Sequence, residues 1–147
     1  MNFERKHFLL DTNFLIDSSK AGDRLGLFFD FVKEHNGAMF IIDASYFEFL
    51  RYASTTGQFQ ELDHFARRFP IIESREEDVR RATLLSVLCH NKRPDLKKQI
   101  SYTDALLGSQ VLKFKEKLVL ATTDIYDFPD CIFDRVKVWA IDLGERV

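Results

Sequence analysis

The sequence predicts an α/β fold, with a mostly parallel sheet covered by helices on both faces. Two observations carry this. Five apolar runs, HFLLD, MFII, FPII, LVLAT and VKVWAI, are short and nearly continuous, the composition of strands buried on both sides. Between them lie segments with apolar residues at helical spacing, long enough to carry the chain back for another parallel strand.

The elements follow in order. HFLLD is a buried strand ending at Asp11, and Thr12 or Asn13 is placed to cap the helix after it. A helix over about 23–36 has Leu25, Phe28, Phe29 and Val32 on one face, with Gly37 ending it. MFII is the second strand. Ser45 and Glu48 have capping-box spacing and predict a helix running to about 53, followed by another over 58–68. FPII is the third strand, and a charged turn at REEDVRR opens a helix through Leu84, Leu85 and Leu88. The segment 91–99, NKRPDLKKQ, is the most basic stretch, and Pro94 makes it a loop. Ser101 and Asp104 form a second capping-box pattern, whose helix presents Ala105, Gly108, Ser109 and Leu112 on one face. LVLAT is the fourth strand, DIYDFPD a turn region and VKVWAI the fifth strand.

The chain of 147 residues has the size of one domain, and its 46% hydrophobic content suffices for a core. No repeat, linker or low-complexity segment divides it. A net charge of −2 excludes nucleic-acid binding through overall charge, so any such contact needs a local basic patch. Cys89 and Cys131 have neither zinc spacing nor a close partner, and free thiols are the expectation. With no signal peptide pattern and no apolar run near the ~20 residues of a membrane span, a soluble cytoplasmic protein is expected.

Four acids stand just past apolar stretches or in the first turn of a helix: Asp11, Glu48, Asp104 and Asp124. In a parallel sheet, ligands bind beyond the carboxyl ends of the strands, and an α/β fold can gather these positions there. Two carboxylates ~4 Å apart repel by roughly 4 kcal/mol at an effective dielectric of ~20, so such a cluster calls for a cation. Oxygen donors suit Mg²⁺ or Mn²⁺. Each acid also has an ordinary reading: a strand-end turn for Asp11, capping-box carboxylates for Glu48 and Asp104, a turn former for Asp124. Their joint placement favours a site. Asn13 is either a helix cap or a group that orients Asp11 or a water. Thr122 is either a donor to a neighbouring carboxylate or a strand residue. Asp127 reads as a turn residue or as a group that supports the site's acids, and Asp17 and Asp43 as solvated or capping residues. His7, His35, His64 and His90 lack metal-ligand spacing and read as surface or satisfied side chains. No glycine-rich phosphate loop and no GxSxG elbow is present.

The segments FLLDTNFLID, YTDALLGSQ and LATTDIYDF, with Glu48 between the first two, resemble the PIN-domain family of metal-dependent ribonucleases over essentially the whole chain. The compact length is most similar to the toxin nucleases of toxin–antitoxin pairs. The resemblance implies a three-layer α/β/α fold around a five-stranded sheet. It implies an acidic site of Asp11, Glu48, Asp104 and Asp124, with Asn13 and Thr122 as polar helpers. It also implies Mg²⁺ or Mn²⁺ as cofactor, RNA as substrate, a homodimer and an antitoxin partner. Lys92, Arg93, Lys97 and Lys98 either steer RNA toward this site or form a solvated loop. Other PIN domains act in RNA processing, and a module that only binds RNA or a partner is a further alternative. A phosphatase of the haloacid dehalogenase type is disfavoured, because Asn13 stands where that family places a second Asp.

Overall fold

A computed structural model describes residues 3–20, 22–92, 100–114, 117–122 and 138–140. The expectations for Asp124, Asp127, Cys131 and most of the basic segment fall outside these residues.

Five strands form one sheet: β1 (His7–Leu10), β2 (Met39–Ile42), β3 (Ile71–Ile72), β4 (Leu118–Thr122) and β5 (Val138–Ala140). Their order is β3-β2-β1-β4-β5, and every neighbouring pair is parallel. Parallel pairing requires crossovers. They include helices α1 (Thr12–Lys20), α2 (Gly22–Glu34), α3 (Asp43–Leu50), α4 (Thr56–Ala66), α5 (Glu76–Lys92) and α6 (Tyr102–Lys113).

Strand side chains alternate between two cores, one on each face of the sheet. Phe8, Leu10, Ile41, Val119 and Ala121 face the first, with Phe14, Phe28, Phe31 and Phe49 from α1, α2 and α3. Leu9, Ile42, Leu118 and Leu120 face the second, with Ala82 of α5 and Ala105, Leu106 and Leu107 of α6. These are the three layers expected from the sequence. The strands read as unbroken apolar runs because both of their faces are covered.

Several element ends differ from expectation. The cap of α1 is Asp11 itself: its Oδ1 accepts the Phe14 N–H at 2.7 Å, so neither Thr12 nor Asn13 fills that place. Helix α2 leaves through Asn36, which takes the left-handed conformation at φ 54°, rather than through Gly37. Gly37 is needed for another reason, since a Cβ there would lie 2.2 Å from the Lys6 carbonyl oxygen. Helix α4 is opened by Thr55, whose side chain accepts from the Gln58 N–H. Cys89, expected as a free thiol, is disulfide-bonded, and its partner lies outside the described residues. Sequence spacing detects clustered cysteines and misses a pairing made by the fold. His35 Nδ1 pairs with the Phe31 carbonyl, but His7 Nδ1 is buried without a partner and so departs from the satisfied-histidine expectation.

A polar network joins α5 to α6. Asp78 is fully buried; it accepts from the Arg75 N–H at 2.9 Å, Arg81 Nη1 at 3.2 Å and Lys113 Nζ at 3.4 Å. Burial pushes its carboxyl up, but the Arg75 N–H, Lys113, Gln110 and Arg81 together outweigh burial and hold it below the ordinary carboxylate range. A depressed folded-state pKa contributes stability above the unfolded value of about 3.9, lost as pH falls through the folded one. Asp78→Asn is therefore expected to be less stable than wild type at neutral pH, with the gap closing below about pH 4. Urea titrations of both proteins between neutral and acid pH measure this, and a gap that stays constant would contradict it.

Candidate active site

The strand order places a topological switch at β1, whose crossover chain leads to β2 on one side while β4 flanks it on the other. Crevices at such switch points, beyond the strand carboxyl ends, are where α/β sheets bind ligands. The register pairs Leu10 with Ala121, so Asp11 and Thr122 follow side by side. Thr122 Oγ1 donates a short hydrogen bond to Asp11 Oδ2. Both residues are buried, Asp11 at 2% exposure. With Phe14 N–H on the other oxygen, the carboxylate is fixed in orientation and sits at the positive end of α1.

Glu48 departs from its capping-box reading. Helix α3 starts at Asp43, two residues earlier than Ser45, and its cap residue Ile42 makes no side-chain cap bond. Ser45 Oγ is buried without a partner. Glu48 therefore lies inside the helix, away from its N-terminus, and its Oε2 accepts from Thr103 Oγ1 of α6 at 2.8 Å. The reason is upstream: Asp43 binds the Ala44 N–H and both the N–H and hydroxyl of Ser74, which fixes the start of α3 earlier than the sequence pattern suggests.

Asp104 follows Thr103 in the first turn of α6. That helix is opened by Ser101, whose Oγ accepts from the Asp104 N–H at 3.1 Å, as its spacing predicts. Thr103 is the positioning group that sequence reasoning missed; its only signal was a hydroxyl beside Asp104 in a first turn. Asn13 is half-buried in the first turn of α1. The hydroxyl of Thr12, next to Asp11, is buried without a hydrogen-bond partner.

The structure thus pairs Asp11 with Thr122, and Glu48 with Thr103 next to Asp104. Among the described residues, no group of three or more His, Cys, Asp or Glu side chains could hold a metal ion. The donor chemistry nevertheless suits a hard divalent cation. All the named donors are oxygens, the ligand type such a cation takes.

A groove of about 580 Å³ opens between α1, α3 and α4, lined by Ile16, Phe49, Tyr52, Leu62 and Phe65 with Lys20 and Arg68 among them. No helix among the described residues is long and apolar enough to cross a membrane.

No protein-family model matches the chain, and no curated protein matches it. Solved structures do share its fold, the PIN-like three-layer arrangement expected from the sequence. A chain of VapBC2 from Rickettsia felis, bound to a DNA fragment from its promoter, superposes with a TM-score of 0.68 at 19% identity, covering 92% of this chain and 99% of that one. DNA-bound VapBC from Salmonella typhimurium gives 0.67 at 14% identity, over 92% and 98% of the two chains. FitAB bound to an IR36 DNA fragment gives 0.62 at 15% identity, over 90% and 94%.

Proposed function

We propose that this chain is a divalent-metal-dependent endoribonuclease acting as the toxin of a toxin–antitoxin pair. One observation carries the reading: Asp11 is buried at the carboxyl edge of the sheet, oriented by Thr122 across the switch point. The detachment of Glu48 from any capping role supports it, because that removes the ordinary explanation for an acid at this place. The shared fold with chains of VapBC and FitAB supports a toxin over an RNA-processing enzyme.

Asp11, Glu48, Asp104 and Asp124 would hold Mg²⁺ or Mn²⁺, which when bound activates water for in-line attack and offsets charge on the phosphate. The chain's own residues do the rest. Thr122 and the Phe14 N–H hold the Asp11 carboxylate aimed. Thr103 holds Glu48, and Asn13 orients Asp11 or a water. The groove beside α1, α3 and α4 offers an apolar surface for an antitoxin segment, and a homodimer is the expected assembly.

Metal linkage tests the site without relying on turnover. Mn²⁺ that binds the folded chain alone raises its melting temperature by mass action. Asp104→Asn and Asp124→Asn are expected to melt at or above wild type in EDTA, because crowded carboxylates repel, and to lose most of the Mn²⁺-induced rise. If both variants instead lose stability in EDTA while keeping the full metal response, these acids are structural. RNA that is bound but never cleaved, with any metal, would leave the non-catalytic module.

A further inference from the structure

We propose that a cavity at the starts of β1 and β4, the end of these strands away from Asp11 and Thr122, is a binding site for a small neutral bicyclic aromatic molecule of the indole type. The inference is independent of the ribonuclease reading.

The cavity has a volume of about 280 Å³ and is lined by His7, Phe40, Ile72, Phe114, Lys117 and Leu118. The fold fixes its walls. His7 and Leu118 open β1 and β4 side by side, and the His7 N–H donates to the Lys117 carbonyl at 2.8 Å. Helix α6 ends at Lys113, and the chain turns into β4 with the Lys117 N–H on the Phe114 carbonyl at 3.1 Å. Phe40 of β2 and Ile72 of β3 pack against the second core but are only partly buried. Phe114 is 42% exposed and Lys117 is exposed, so a ligand can enter from solvent.

The walls define the ligand. The surface of the cavity is carbon, which disfavours a charged molecule or one with several polar groups, since burying these without partners is costly. Lys117 suits such a wall with its apolar stem, while its ammonium stays in water. Three of the lining side chains are rings, and His7 meets Phe40 edge-on at 5.6 Å between centres. A flat aromatic packs well among rings. An apolar cavity of roughly 150 Å³ admits benzene, so two fused rings fit here. One hydrogen-bonding group is also called for. His7 Nδ1 is buried without a partner, an arrangement that folded proteins rarely leave unmet. A half-turn of the imidazole keeps the shape of the ring and offers this nitrogen to a ligand N–H.

The test is binding of indole, and of indene, which has the same shape without the N–H, to the full chain in EDTA. Calorimetry gives the affinity, and the melting temperature should rise with ligand by mass action. Indole is expected to bind about fivefold tighter than indene. Ile72→Phe and Phe114→Trp fill the cavity from the sheet and from the helix end. Each is expected to weaken indole binding about tenfold or more, while the ligand-free melting temperature stays near that of wild type. His7→Phe keeps the ring bulk and should bind indole and indene equally. If a filled variant folds poorly, the His7→Phe comparison decides. Mn²⁺ should leave indole affinity unchanged, because Asp11 and Thr122 lie at the other end of the strands. No binding of either molecule overturns the proposal. So does undiminished binding in both filled variants, which would move the ligand to another surface such as the groove beside α1, α3 and α4. Equal binding of indole and indene to wild type overturns the assigned ligand class, and displacement of indole by Mn²⁺ overturns the assigned place.

Discussion

Asp11→Asn is expected to reduce RNA cleavage by more than the roughly 10–100-fold typical of a group that only supports a metal ligand. Asparagine is the informative replacement because of what Asp11 does structurally. It caps α1 through its Oδ1, and Asn caps a helix about as well as Asp does. The fold should therefore survive while the charge is removed. Asp104→Asn should behave alike, and EDTA should silence the wild type, with Mg²⁺ or Mn²⁺ restoring the wild type alone. Gel-based cleavage assays measure each arm. Full activity in EDTA would end the metal mechanism. A modest loss in Asp11→Asn, within tenfold, would reduce Asp11 to a helix cap.

Phe28→Ala is expected to destabilise the fold by about 3–5 kcal/mol, the usual cost of truncating a fully buried phenylalanine. The side chain has no exposure. Its ring centre lies 4.8 Å from Phe14, 5.6 Å from Phe8 and 6.4 Å from Phe31, so truncation opens a cavity that three stiff rings cannot readily fill. Domains of this size are held by roughly 5–15 kcal/mol, so the loss is a large share of the total and should lower the melting temperature by on the order of 10 °C. Urea unfolding with matched slopes gives the number. A cost below about 1 kcal/mol would show that the aromatic cluster relaxes around the gap. Phe28→Leu, which keeps most of the volume, should lose much less.

The sequence carried the sheet because each strand is an apolar run that needs no partner to be recognised. His7–Leu10, Met39–Ile42 and Leu118–Thr122 all stand within the expected runs. It carried Ser101 because a capping box is a local pattern. It failed where a distant side chain decides a local outcome. Ser45 and Glu48 have the spacing of a cap, but Asp43 is bound by Ser74, 31 residues away, and the helix starts early. Glu48 then meets Thr103, 55 residues on, a partner that no periodicity announces. Asp11 was legible as a strand-end acid, while its double role as helix cap and partner of Thr122 follows only from strand order. Asp78 passed as one charge among several in REEDVRR, since nothing local distinguishes a buried carboxylate from its solvated neighbours.

The bond between Thr122 and Asp11 spans 111 residues of chain. Loop closure on that scale is entropically costly, and contacts of such sequence separation form slowly. During synthesis, Asp11 emerges early while its hydroxyl partner is still untranslated. The carboxylate edge thus has no oriented Asp11 until β4 has left the ribosome and paired beside β1. Chain order alone delays assembly of this edge on a nascent polypeptide surrounded by RNA.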